Sequence, residues 1–445
     1  LRPAGGAWGA AHLDFRPGRF TSAPMSEHLI LSGAPEGLDA ALIGRELARG
    51  KPVIHIARDD RRMAAMRAAL GFLVPAAPVL EFPAWDTTPY DRVSPAGEVM
   101  AARIAVLGAL AHGAVSGGFV LLTTLNAAMQ RLPAAEVIRG ATFTARVGER
   151  LDEGALRAFL ARMGFSQSPT VTELGDYAIR GGIIDIYPPG TGGPIRLDLF
   201  GDVLESARLF DPETQRSTRT LDRVELAPMS EVILDDAAIA RFRQNYRATW
   251  GGGAQDPLYE GISAGRKVAG MEHWLPWFHE RLESLFDYLP DATVVTDDRL
   301  GQVRDARWQM ISEQLEARRE ALSRRGGTDT PYRPVPAEAM FPPPAEWDGW
   351  LAGRRLIALS VLPQPPGPDD QVAAARVRER QRLRRAGTVV FHGAELHHVG
   401  RYLAPGCLLL GHVGGVVRSD AVRYDRRAVA AAVHEKFQRV AQRAV

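Results

Sequence analysis

Residues Leu29 to Ala40 (LILSGAPEGLDA) set an apolar run, a glycine loop and a helix-forming run where a nucleotide-binding fold builds its phosphate cradle. Phosphate binding there needs backbone amides, a lysine on the terminal phosphates and a hydroxyl on magnesium. Counted from Gly33, the lysine and hydroxyl places hold Asp39 and Ala40. A carboxylate repels a phosphate, so Gly33, Gly37 and Asp39 mark a degenerate nucleotide site that is expected not to hydrolyse. Hydrolysis also requires an acidic pair after a later strand. Val294 to Arg299 supplies Asp297 and Asp298, but Arg299 follows them directly. Two aspartates closing a strand read as a turn or a helix cap.

Binding chemistry has a second candidate in Arg180, which precedes Gly181-Gly182. A glycine pair inside a strand pattern permits a β-bulge or the close approach of another backbone. The apolar parity changes across it, from Tyr177 and Ile179 to Ile184 and Ile186, and that shift predicts a bulge. From spacing alone Arg180 is either a solvated strand arginine or a docking hot spot. In the loop Phe82 to Pro95 (FPAWDTTPYDRVSP), Trp85, Tyr90 and Arg92 are types that stack on bases or contact phosphate, or that pin a long loop to its domain. His273 and His279 lie too far apart for a helical metal pair, and His392, His397 and His398 read as surface histidines. No Ser/His/Asp or Cys/His set emerges.

Composition limits the classes. With 54 Lys+Arg against 52 Asp+Glu, the net charge of +2 does not by itself mark a nucleic-acid binder. Lysine is confined to Lys51, Lys267 and Lys436, which makes each arginine weak evidence on its own. Cys407 is the single cysteine, excluding an internal disulfide, a cysteine-based zinc finger and an iron-sulfur cluster, and a reducing cytoplasm is the expected compartment. No apolar run is long enough to cross a bilayer, so no membrane partner is expected.

The elements that must position these residues fall into sections. Residues 1–24 read as an upstream or disordered extension. From 25 to 140, strand and helix patterns alternate, as in a parallel α/β sheet: strands at His28 to Ser32, Pro52 to Ile56 and Phe119 to Thr124, helices at Leu38 to Ala48, from Asp60, and at Gly97 to Ala111. Residues 141–228 change to short strands around one helix, Asp152 to Met163, with Gly201-Asp202 as a tight hairpin turn, and form a separate α+β insert. From 229 to 322 the first domain resumes, with helices predicted at Ala237 to Trp250, at Trp274 to Tyr288 and around Trp308 to Leu315, and a strand at Thr293 to Thr296. Residues 323–370 are rich in proline and glycine and read as a linker region. Residues 371–445 open on a basic helix, Val372 to Arg385, and otherwise match no assignable pattern.

Several long motifs, in order, carry a resemblance to a family. WDTTPYDRVSP (Trp85 to Pro95), LLTTLNAAMQRLP (Leu121 to Pro133), GDYAIRGGIIDIYP (Gly175 to Pro188), RLDLFGDVLESARLFDPETQRS (Arg196 to Ser217) and DPLYEGISAGRKVAGMEHWLPWFHERLESLFDYLP (Asp256 to Pro290) resemble the N-terminal region of bacterial transcription-repair coupling factors, which is itself similar to the excision-nuclease subunit UvrB. The resemblance implies a degenerate P-loop, helicase-like α/β domain interrupted by an insert, then a linker and a partial or divergent C-terminal segment. It implies that the insert docks the damage-recognition protein UvrA through Arg180 and Ile184, with Gly181 and Gly182 beside them and with Phe165 and Gln167 on the preceding segment. Gln167 departs from the pattern, since relatives often place an arginine there. It further implies that Arg299 stands where UvrB has its catalytic glutamate, in keeping with the lost phosphate loop. No cofactor is then expected for this chain. ATP and magnesium would serve the motor of the full-length family member, which meets RNA polymerase and DNA through other parts. The expected role is UvrA recruitment in transcription-coupled repair. The alternatives are an ATP-dependent DNA translocase or helicase, and a nonspecific DNA-binding domain using the Arg376 to Arg385 helix. The chain is expected to be a fragment of the longer protein.

Overall fold

Two five-residue runs, Val53–Ala57 (VIHIA) and Val120–Thr124 (VLLTT), are buried at every position. Continuous burial of this kind belongs to a parallel sheet covered on both faces. In the computed structural model, which describes residues 28–32, 38–251, 256–297, 299–323, 333–360 and 371–374, these runs lie in a seven-stranded sheet. Its order is Gln371–Ala374, His28–Ser32, Leu356–Ser360, Thr293–Asp297, Val53–Ala57, Val120–Thr124, Val79–Phe82, and every neighbouring pair is parallel. Helices Leu38–Leu47 and Asp60–Leu73 pack over one apolar layer, with Ile43, Met66 and Leu70 fully buried. Helices Gly97–Ala111 and Leu300–Ser323 pack over the other, which buries Ile104, Leu107 and Leu300. All described residues fall in a single compact unit.

Between Gly140 and Met229 the chain builds a different object. Six strands, ordered Ser217–Leu221, Val203–Phe210, Ile195–Phe200, Ile183–Ile186, Asp176–Arg180, Ser166–Gln167, form a sheet that is antiparallel apart from its last pair. Ile195 and Leu197 turn inward and Arg196 and Asp198 outward, the period-2 pattern of a sheet with one wet face. The inward face covers helix Glu153–Met163 through Leu156, Phe159 and Leu160. Asp152 caps the start of that helix by accepting from the Ala155 amide at 2.9 Å, and Gly164, at φ +88°, ends it in the left-handed region.

Several sequence expectations are corrected. The stretch expected as a linker, residues 323–370, contains helices Ala337–Met340 and Pro344–Leu351 and the strand Leu356–Ser360 inside the parallel sheet. Buried Trp347 and Leu351 explain why so proline-rich a stretch is held. The single helix expected over Trp274 to Tyr288 is split into Leu275–Phe278, the strand Leu282–Glu283 and Leu285–Tyr288, because Leu282–Glu283 pairs with Leu132–Pro133 and Ser284 begins a new capping box. The start of the expected basic helix is instead the edge strand Gln371–Ala374, and residues 375–385 lie outside the described residues. Strand Val79–Phe82, at the other edge of the sheet, was not among the expected strands.

Candidate functional site

The degenerate nucleotide position lies at the carboxyl ends of the parallel strands, where ligands of open α/β sheets bind. Asp39 is buried there, accepts from the Ala40 amide at 3.0 Å and pairs with Arg62 from the next helix. Asp59, the cap of that helix, accepts from the Arg62 amide at 2.7 Å and fixes where Arg62 starts. At the tip of the neighbouring strands Arg58 Nη1 donates to Asp297 Oδ2 at 3.2 Å, and the Arg299 amide donates to Asp297 Oδ1 at 3.2 Å. The Arg299 side chain is exposed. Gly33, Gly37 and Asp298 lie outside the described residues. A phosphate at Asp39 would meet a carboxylate already matched to its own guanidinium.

On the insert, strands Asp176–Arg180 and Ile183–Ile186 are joined by the two-residue turn Gly181-Gly182, with Arg180 opposite Ile183. The expected bulge is therefore a hairpin: the chain reverses, and two turn residues mimic a change of parity. Gly181, at φ +60°, supplies the left-handed turn conformation. The close-approach reading of the same pair holds at Gly182. A Cβ there would lie 2.8 Å from the Leu199 carbonyl oxygen, and the Leu199 amide donates to the Gly182 carbonyl at 2.7 Å.

Alternation then sorts the candidates by face. Ile184 is fully buried among Ile186, Leu197 and Leu204, and Phe165 is buried in the same core. Ile184 has no exposed surface in this structure, and the outward apolar residue beside Arg180 is Ile183. Arg180 keeps 50% of its side-chain surface and donates from Nη2 to Asp185 Oδ2 at 2.6 Å, while Asp185 keeps none. Arg196 grips the same carboxylate twice, at 2.7 and 2.9 Å, and its guanidinium lies 4.6 Å over the Phe210 ring. The Asp185 hydrogen bond holds the Arg196 pKa above its ordinary value. A shallow groove of about 370 Å³ is lined by Gln167, Ser168, Pro169, Ala178, Ile179 and Arg180. The structure thus brings Arg180 and Gln167 to one groove, sets Gly181 and Gly182 in the turn beside it, and leaves Ile184 and Phe165 beneath. Ile183, Asp185 and Arg196 were not singled out from sequence, although the period-2 pattern places all of them on Arg180's face once the hairpin is recognised.

A buried ion pair and an exposed lysine tie the insert to the α/β layers. Arg103 pairs with Glu231, both without exposed surface, and Arg103 Nη1 donates to the Pro83 carbonyl at 2.7 Å. Lys267, which is exposed, donates to the Gly164 carbonyl at the helix end at 2.9 Å. In the 82–95 loop Trp85 meets His273 edge-on at 5.6 Å and Tyr90 is buried, so both pin the loop, while Arg92 is exposed. His273 and His279 are buried apart from any metal-binding cluster among the described residues, and His392, His397 and His398 lie outside them.

Residues 143–232 match the family model described as the UvrB interaction domain, which covers the insert and its return to Glu231. The chain is 32% identical over 297 residues to the transcription-repair-coupling factor of Haemophilus influenzae, covering 66% of the chain and 26% of that protein. Against the Escherichia coli transcription-repair-coupling factor it is 31% identical over 322 residues, 71% of the chain and 26% of the relative. Against that of Myxococcus xanthus it is 34% identical over 320 residues, 64% and 26%. The chain is similar to the N-terminal region of transcription-repair-coupling factors. It spans about a quarter of those relatives' own length. No described helix is long and apolar enough to cross a membrane. In the terms of these coupling factors, Arg180 and its groove belong to the UvrB interaction domain, and Asp39 and Asp297 lie in the α/β layers outside it.

Proposed function

We propose that this chain is the UvrA-recruiting, UvrB-like module of a transcription-repair coupling factor, acting in transcription-coupled nucleotide-excision repair. The observation that carries the reading is Arg180, half-exposed on the outward face of the matched domain and held from below by buried Asp185. A guanidinium fixed in this way keeps free N–H donors without searching for its geometry on binding, the arrangement that makes charge-assisted contacts strong. Gly181 and Gly182 make the turn that follows it, Gln167 lines the same groove, and Phe165 and Ile184 pack in the core beneath.

Under this proposal the segment hydrolyses no ATP and needs no cofactor, since Asp39 and Arg62 occupy each other. ATP and magnesium serve a motor elsewhere in the full-length protein, which also meets RNA polymerase and DNA, and the cytoplasm is the compartment. Capture of UvrA by the purified chain and by Arg180→Ala tests the reading: the parent retains UvrA and the variant loses on the order of 2 kcal/mol. Equal capture by both removes Arg180 from the interface, and capture by neither ends the docking reading. DNA-stimulated ATP hydrolysis by the purified chain would restore the translocase alternative.

A further inference from the structure

At the tip of the hairpin between Ile195–Phe200 and Val203–Phe210, Phe200 keeps 79% of its surface, more than any other large hydrophobic residue among the described residues. A single exposed hydrophobic is ordinary, so its neighbours decide its meaning. On strand Ile195–Phe200, Ile195 and Leu197 turn inward and Arg196 and Asp198 outward. The pairing with Val203–Phe210 shifts register after Asp198, yet Leu199 still packs against the core and Phe200 points outward, exposed. Asp198 pairs with Ile183, itself 40% exposed, and Ile183 pairs with Arg180. Phe200 is therefore the diagonal neighbour of Ile183, within reach of a long side chain.

The tip that carries Phe200 is held by backbone. Leu199 and Gly182 tie the two hairpins together, the Leu204 amide donates to the Glu149 carbonyl at 3.0 Å, and the Leu151 amide donates to the Asp202 carbonyl at 2.8 Å. A partner would not have to order this aromatic, which lowers the cost of using it. On the strand faces beside it the arginines are the more exposed charges, while Asp202 at the tip is half-exposed and paired with Arg150. Arg180 and Arg208 are partly exposed, whereas Asp185 is buried under Arg180 and Arg196, and Asp198 is covered by Ser206 and Arg208.

We infer that Phe200 and Ile183 form the apolar anchor of the docking face, received by a protein surface with an apolar socket edged by carboxylates that meet Arg180 and Arg208. A protein is favoured over a nucleic acid because aliphatic Ile183, beside Phe200, does not stack on bases. The inference rests on the UvrA-docking reading and adds to it the residue that supplies apolar binding energy beside the Arg180 charge.

The test titrates UvrA onto the immobilised full chain, comparing the parent with Phe200→Ala, Phe200→Leu, Arg180→Ala and, on the α/β layers, Phe72→Ala. Phe200→Ala is expected to weaken binding about 30-fold, the scale of an interface hot spot. Phe200→Leu should recover most of it, Phe72→Ala should bind like the parent, and the Phe200 variants should melt with the parent because that side chain is solvated. If Phe200→Ala binds like the parent while Arg180→Ala is weak, the anchor is disproved and the docking face stands. If the parent itself captures no UvrA, the docking reading falls first and takes the anchor with it. Loss on Phe200→Ala of single-stranded DNA binding rather than of UvrA binding overturns the choice of a protein partner.

Discussion

Arg62 and Arg180 both meet a buried aspartate, yet one is enclosed with its partner and the other stays half-exposed. In the α/β layers Arg62 is drawn onto Asp39 and keeps 11% of its side-chain surface, so the two charges are spent on each other. On the insert, Asp185 is shared between Arg196 and Arg180, and Arg180 keeps half of its surface. Two guanidiniums on one carboxylate leave a positive charge that solvent, or a partner, must satisfy. The lesson is one of stoichiometry: a one-to-one buried pair leaves no charge to present, and a two-to-one pair on a sheet face does.

Acid should break the comparison at its largest scale. His55, His273 and His279 are all buried in or against the α/β layers, and burial pushes the pKa of each down to about 4. Residues 143–232, the matched domain, contain no histidine. The unfolded chain takes up protons near pH 6.5 and the folded chain does not until about 4, so this stability is present above pH 6.5 and drains as pH falls toward 4. A shift of this size corresponds to roughly 3 kcal/mol for each histidine. Glu46 and Glu272, raised by burial, oppose part of the loss. Hydrogen exchange at pH 7.5 and 4.5 should show Val53–Ala57 and Met271–Phe278 losing protection before Asp176–Phe210. The reverse order would mean that histidine burial does not govern acid stability.

Next in size is Asp39→Ala, which strands Arg62 in a buried place and should cost about 3 kcal/mol, toward the lower end for breaking a buried pair. Denaturant unfolding measures it. Arg180→Ala is the contrasting variant: about 2 kcal/mol lost in UvrA capture, but less than about 1 kcal/mol in stability, because half of that side chain is already in water. A large stability loss at Arg180 with unchanged capture would make it another Arg62.

How far these sites were readable from sequence differs by distance along the chain. Asp39 in the lysine's place is a local fact, and so is the Gly201-Asp202 hairpin, which the structure has as expected. The partner of Asp39 is not local, since nothing about Arg62 distinguishes it from its neighbours before the helix folds back. Gly181-Gly182 was misjudged because a two-residue turn and a one-residue bulge leave the same apolar parity. Leu356–Ser360 was hidden by the prolines around it, and its place in the sheet rests on non-local pairing with His28–Ser32 and Thr293–Asp297. The inward position of Ile184 follows from alternation alone, but a matched motif transfers positions without saying which way they face.

The smallest expected effect tests what holds the anchor in place. Arg150 pairs with Asp202 at the hairpin tip, both largely exposed, and an exposed pair contributes little. Backbone bonds from Gly148, Leu151 and Leu204 fix the same tip. Arg150→Ala should therefore change stability by no more than about 0.5 kcal/mol and leave UvrA capture near that of the parent. A loss as large as that of Phe200→Ala would mean that side-chain charge, not backbone, presents the aromatic, and the insert would then depend on ion pairing as fully as the enclosed pair at Asp39 does.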